Sequence, residues 1–208
     1  MPAGFMGGSM RNLLITRPDI DVIKLKLQST LTDQRYTHSV NVSETAVYLA
    51  DKFDVNRYNA LIAGLLHDCA KDIPDDIKLL SCKKYNIKID KTMAQQPDLT
   101  HSFLGAKIAQ KEYGINDGDI LNAIRYHTTG RGKMSALEKI IYLADLIEPD
   151  RKPFKSLEKI RQLAYEDLDR AMLCSLRECM KYVKQRNFKL HELTNSAYEY
   201  IKEDAFDN

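Results

Sequence analysis

Apolar residues recur along this chain at intervals of three and four, the spacing that lines one face of an α-helix. Strict alternation occurs only around Ile87 and Ile89, in Asn86–Asp90, a stretch too short for a strand and without a partner run. The pattern therefore predicts an all-α, single-domain helical bundle. A first helix begins before Leu31, and a second runs from about Asp33 to Phe53 with Val42, Thr45, Ala46 and Leu49 inward. The segment from Ala60 to Asp72 is apolar almost all round, which marks a helix buried at the centre of the fold, and Pro74 ends it. A short helical turn at Asp75–Leu80 and a connecting loop at Asn86–Asp98 lead to a helix over Leu99–Tyr113, stopped by Gly114. Asp117-Gly118-Asp119 opens the next helix. Ser135 and Glu138 have capping-box spacing for one over Ala136–Glu148. Lys155–Gln185 and Thr194–Ala205 are charged amphipathic helices that read as scaffold.

Polar residues interrupt these apolar faces at a few positions. His38 shares the inward side of its helix with Val42, Thr45 and Leu49. His67, Asp68 and Lys71 fall on one stripe of the central helix with Ala60, Leu61 and Gly64, where Gly64 lets a backbone or ligand come close. His101 lies with Leu104, Gly105 and Ile108, and His127 with Ile120, Ala123 and Ile124. Asp145 lies with Leu137, Ile141, Ala144 and Glu148. The chain has five histidines, and all but His191 sit on inward faces of different helices; His191 is expected at the surface or as a helix cap.

One such group is ordinarily satisfied by a neighbour in the core. Six unshared ones would cost about 1–3 kcal/mol each, and convergence on metal removes that cost at once. Imidazoles with carboxylates suit iron, manganese or zinc better than magnesium or calcium. Six ligands are too many for one catalytic ion that must keep an open position; two ions bridged by Asp68 fit better.

Composition adds exclusions. The chain of 208 residues has a formal net charge of +2, with 44% hydrophobic and 29% charged residues. That balance excludes a strongly basic nucleic-acid binder, and no apolar run approaches a membrane span. The four cysteines lack CxxC spacing and read as reduced thiols of a cytoplasmic protein. Residues 1–10 read as a disordered start or an expression scar, and 20–205 as the folded domain. The Gly-flanked basic loop Thr128–Lys133 is expected to be the most flexible interior segment. Lys71, Arg131, Lys133, Arg151 and Thr128 are candidates for binding an anionic ligand, whereas Arg125 reads as a plain surface cation. Asp72 and Glu148 are either supports or proton-transfer groups for the ligands, or ordinary surface carboxylates.

The order of these residues resembles that of the HD-domain metal-dependent phosphohydrolases: a separate His38, the doublet His67-Asp68 with Lys71, then His101, His127 and a late Asp145. The segments His67-Asp68-Cys69-Ala70-Lys71-Asp72, His101-Ser102-Phe103-Leu104-Gly105-Ala106, Ile124-Arg125-Tyr126-His127-Thr128-Thr129-Gly130 and the run from Lys139 to Arg151 are similar to the bacterial YqeK family. The match spans roughly Gln34 to Phe154. The resemblance implies a helical HD fold, a di-iron centre and symmetrical hydrolysis of diadenosine tetraphosphate to ADP. It also implies one ion on His38, His67, Asp68 and Asp145, and a second on His101, His127 and the shared Asp68. The expected reaction is in-line attack on phosphorus by a water activated between the ions, with Asp68 and Lys71 as catalytic groups. The expected partner is a small dinucleoside polyphosphate, and the charged C-terminal helices offer a surface for a homodimer. Competing readings are an HD enzyme for a nucleoside mono- or triphosphate, a cyclic-nucleotide enzyme (disfavoured because the Gly-Tyr-Pro signature is missing), and a nucleotide-binding regulatory module.

Overall fold

The computed structural model describes residues 18–204, so residues 1–10 and Ala205 lie outside the described residues. Those described form α-helices joined by turns, with one 3-10 turn at Pro97–Leu99 and no strand. In order they are α1 (Ile20–Thr30), α2 (Asp33–Lys52), α3 (Arg57–Leu66), α4 (Asp75–Lys84), α5 (Lys91–Gln95), α6 (Thr100–Glu112), α7 (Gly118–Tyr126), α8 (Ala136–Ile147), α9 (Leu157–Ala164), α10 (Leu168–Gln185) and α11 (Glu192–Asp204).

Helix starts are written in the sequence. Thr32, Asn56, Asp90, Asp117, Ser135 and Asp167 each accept a backbone N–H from the first turn they precede. The Ser135 box is only half built: Ser135 Oγ accepts from Glu138 N at 3.2 Å, while the Glu138 carboxylate turns to Arg131 instead. Gly114, at φ 69°, ends α6 in the left-handed conformation that glycine adopts freely.

The centre of the fold is α3, whose Ala60, Ile62, Ala63, Leu65 and Leu66 are inaccessible to solvent. It is packed by α2, α7 and α8. Gly64 is where α2 comes nearest: a Cβ there would stand 2.6 Å from the Ser43 Cα. The close approach predicted at Gly64 is therefore of backbone. Outside this centre, α6 packs on α7 and α4, and α10 carries α9 and α11 onto α8.

Several boundaries differ from the periodicity. The central helix stops at Leu66, and residues 67–72 form successive tight turns, with Cys69 N bonded to Leu66 O and Lys71 N to Asp68 O. The stripe assigned to His67, Asp68 and Lys71 is thus a helix end followed by turns. The expected turn at Asp75–Leu80 is a ten-residue helix. The expected loop Asn86–Asp98 contains α5, capped by Asp90. The expected helix Lys155–Gln185 breaks at Tyr165–Asp167 into α9 and α10, because Asp167 caps a new start. The Thr128–Lys133 loop is pinned rather than loose: Thr129 and Gly130 are buried, and Gly130 packs against Ala197 and Met134. His191 is buried; its Nδ1 accepts from Leu193 N at 3.2 Å and its Nε2 lies 2.9 Å from Asp90 Oδ2. The cap reading of His191 thus holds and the surface reading does not.

Gly64→Ala should destabilise the protein by about 1–3 kcal/mol through overpacking against Ser43, although helix propensity alone favours alanine by about 1 kcal/mol. A urea-denaturation midpoint equal to that of the parent would contradict the close packing.

Candidate metal centre

Five elements each place one or two polar side chains at the heart of this bundle. His38 comes from the second turn of α2, His67 and Asp68 follow the C-terminus of α3, and His101 sits in the first turn of α6. His127 follows α7, and Asp145 is in the last turn of α8. His67, Asp68, His101 and His127 are almost wholly buried, and His38 is 9% exposed.

Three of the histidines are aimed by one local device. His67 Nδ1 donates to Gly64 O at 2.7 Å, His127 Nδ1 to Ile124 O at 2.8 Å, and His101 Nδ1 to Asp98 O. Each bond reaches back three residues, and for His67 and His127 it occupies a carbonyl in the last turn of a helix, where carbonyls lack intrahelical partners. His38 Nδ1 faces Glu148 Oε1 at 3.3 Å. A carbonyl or carboxylate oxygen only accepts, so in the neutral form of each ring the proton sits on Nδ1 and Nε2 is left with a bare lone pair.

Those four Nε2 atoms converge on Asp68. His38 and His67 Nε2 are 3.3 Å apart and lie 3.7 and 3.4 Å from Asp68 Oδ2. Asp145 Oδ1 closes that group at 3.1 Å from His38 and 3.9 Å from His67. On the other side, His101 and His127 Nε2 are 3.2 Å apart and lie 3.2 and 3.5 Å from Asp68 Oδ1. Thr128 Oγ1 completes this second group at 3.0 Å from His127 Nε2 and 3.2 Å from His101 Nε2. Each oxygen of one carboxylate thus faces a different pair of imidazoles.

The donor set fits metal. Acceptors facing acceptors at these distances repel unless a cation lies between them, and only one Thr128 hydroxyl proton is available to the second pair. Ligand bonds of about 2.0–2.2 Å give ligand–ligand edges of about 3.0–3.5 Å, close to the separations seen. His38, His67 and Asp145 form one group able to hold an ion; His67, Asp68 and His127 form another.

The electrostatics express the same demand for positive charge. Burial raises the Asp68 carboxyl, but the facing imidazoles of His67, His101 and His127 outweigh it and hold its pKa well below the usual range. Burial likewise opposes ionisation of Asp145, yet His38, His67 and Arg151 bring its pKa down. For His38, burial disfavours the imidazolium, but Asp145 and Asp68 prevail and raise its pKa. Burial dominates at His101 and lowers its pKa, keeping it neutral as a ligand must be.

The remaining sequence candidates separate. Glu148 is buried and bonds His38 Nδ1, Asn41 Nδ2 at 3.2 Å and Asp150 N at 2.7 Å. Asp72 accepts from Thr32 N and Thr32 Oγ1 at the start of α2. Arg151 Nη1 lies 3.7 Å from Asp145 Oδ1. Lys71 Nζ is paired with Asp98 Oδ2 at 2.7 Å. Arg131 differs from expectation: both arms of its guanidinium bond Glu138, at 2.9 and 2.7 Å, and it stacks over Tyr126, so it is a loop anchor. Lys133 is exposed on the same loop. Arg125, read as a plain surface cation, stacks over Phe103 and Tyr126. Sequence reasoning missed Arg35, whose Nη1 donates to Asp68 Oδ2 at 2.6 Å, and Asn41. Both lie three residues from His38, one before and one after, and that spacing was the available signal.

An HD-domain family model matches residues 35–150. The chain is 37% identical over 177 residues to the symmetrical bis(5'-nucleosyl)-tetraphosphatase of Bacillus subtilis, covering 84% of this chain and 93% of that protein. It is 33% identical over 197 residues to the protein of the same name from Staphylococcus aureus, covering 89% of this chain and all of the other. A crystal structure of a predicted HD superfamily hydrolase involved in NAD metabolism, from Clostridium acetobutylicum, superposes with a TM-score of 0.86. It is 40% identical and covers 89% of this chain and 98% of its own.

Asp145→Ala should lower bound metal by about one ion per chain, and Asp68→Ala should lower it on both sides. Elemental analysis of each purified variant reads this directly, and equal losses from the two variants would contradict the division into two groups.

Proposed function

The chain belongs to the HD-domain family, and on that premise we propose that it hydrolyses dinucleoside tetraphosphates symmetrically, diadenosine tetraphosphate giving two molecules of ADP. The observation that carries the proposal is the Asp68 carboxylate, whose two oxygens face separate histidine pairs. The relatives whose names state this activity match along most of their length. We assign one transition-metal ion to His38, His67, Asp68 and Asp145, and a second to His101, His127 and Asp68, with iron first and manganese or zinc as alternatives. Bound there, such ions supply positive charge that activates an attacking water and offsets charge on the phosphoryl oxygens.

The chain's own groups do the rest. Symmetrical cleavage breaks the central P–O–P bridge; the water oxygen joins one phosphorus and the bridging oxygen leaves with the other. Lys71 is the cation nearest the doublet in sequence, and its ammonium donates to the oxygens of the phosphate under attack. For that it leaves Asp98, a carboxylate 60% exposed that keeps the buried Lys78 as a partner at 3.4 Å. Thr128 Oγ1, beside both His101 and His127, donates to a phosphate oxygen at that end. Arg151, 34% exposed beside Asp145, serves a phosphate at the other end. Glu148 fixes the His38 ring, and Asp72 braces the turn that carries Asp68 and Lys71. Arg131 is engaged by Glu138, and Lys133 on the same loop is the freer candidate for the outer phosphates. Among the described residues no helix is long and apolar enough to cross a membrane, and with four free cysteines the reading is of a cytoplasmic enzyme.

The test is incubation of anaerobically purified protein with diadenosine tetraphosphate. ADP alone is expected, with activity lost to a chelator while the helical circular-dichroism signal persists; ATP plus AMP would overturn the symmetrical assignment. Lys71→Ala should lower kcat/KM by about a hundredfold in the same assay, and an unchanged value would remove Lys71 from the reaction.

A further inference from the structure

Arg35 stands in the first turn of α2, three residues before His38, and no role in the reaction described above falls to it. Its Nη1 donates to Asp68 Oδ2 at 2.6 Å, and its Nε lies 3.7 Å from Asp72 Oδ1. The Nε atom is buried with no hydrogen-bond partner. Around it runs a closed polar circuit. Arg35 N donates to Thr32 Oγ1 at 3.3 Å, while Thr32 Oγ1 and Thr32 N donate to Asp72 Oδ2 at 2.9 and 3.0 Å. The guanidinium then returns from α2 to Asp68. Two residues at the start of α2 thereby grip two carboxylates on the turn that follows α3.

That turn is where the chain leaves regular helix, so helical hydrogen bonding does not fix the Asp68 rotamer. A carboxylate that must present each oxygen to a different imidazole pair has little tolerance about its Cβ–Cγ bond. An ionised carboxylate has about four lone-pair sites. The histidine pairs face one site on each oxygen, and Arg35 takes a further site on Oδ2. The guanidinium is planar and rigid, so it sets an angle as well as a charge.

We propose that Arg35 is the positioning residue that holds the Asp68 carboxylate across the two histidine pairs, and so couples the two metal sites. The inference rests on the two-ion part of the function proposed above and is independent of which phosphate compound is cleaved.

The experiment is titration of metal-stripped protein with Mn2+, read by calorimetry and by the spin-coupled electron paramagnetic resonance signal of a manganese pair. Wild type, Arg35→Met, Arg35→Lys and Arg57→Met are compared; Arg57 is a surface arginine paired with Asp51 and controls for loss of a charge. Arg35→Met should bind the pair about tenfold to a hundredfold more weakly and lose the coupled signal, with its melting temperature near that of wild type. Arg35→Lys, which keeps charge without the fork, should recover part of both, and Arg57→Met should match wild type. The proposal is overturned if Arg35→Met binds the manganese pair as wild type does. It is equally overturned if metal binding is intact and only KM for diadenosine tetraphosphate rises, because Arg35 would then touch substrate. If Arg35→Met does not fold, wild-type affinity in Arg35→Lys overturns it. Manganese pairing in wild type without tetraphosphate cleavage would sink the substrate assignment alone. Failure of wild type to form a pair would sink the two-ion reading and this inference with it.

Discussion

Hydrogen-bond acceptors crowded against acceptors are the constraint on which this structure turns. Four imidazole nitrogens, each stripped of its proton by a partner on the far side of the ring, meet two carboxylates within about one coordination sphere. Arg35 Nη1 and Thr128 Oγ1 donate into this group but cannot serve every acceptor, and the cost of leaving the rest unpaired would be several kcal/mol. A cation is the natural solution, and the acidic and basic groups already respond to its demand. Asp68 and Asp145 are held ionised, and burial keeps His101 neutral. The rest of the fold is a frame that brings five elements to this point from different directions.

The frame works mainly through helix ends. His67 and His127 are the residues at which α3 and α7 stop being helical, and each bonds the carbonyl three residues before it. The same geometry recurs at the N-terminal end of α6, where His101 bonds Asp98 O. A ring fixed at Nδ1 by its own backbone has one remaining direction for Nε2, so its orientation is set by local contacts. Packing then sets the distances. The close approach of α2 at Gly64 places His38 opposite His67, and α8 brings Asp145 against both.

Much of this was legible in the sequence because the fold is helical and periodicity is its strongest signal. The inward positions of His38, His101, His127 and Asp145 followed from counting threes and fours along apolar stripes. The signal failed where local chemistry overrode periodicity. The His67 ring takes the Gly64 carbonyl, and the helix gives way to turns that an apolar pattern cannot register. Asp167 starts a new helix inside an unbroken amphipathic run. Basic residues were the least legible. Arg131 looked available for phosphate in a glycine-rich loop but bonds the buried Glu138, whereas Arg35, which was not among the sequence candidates, reaches the centre of the site. Long flexible side chains reach several ångströms from their Cα, so their partners depend on tertiary neighbours that spacing does not reveal.

The central claim is that Asp68 stands between two ions. Crystals of anaerobically purified protein, measured at the absorption edge of the bound metal, test it most directly. The account predicts two anomalous peaks about 3.5–4 Å apart, one against the Asp68 oxygen that faces His38 and His67 and one against the oxygen that faces His101 and His127. A single peak, or two peaks of which neither touches Asp68, would contradict it.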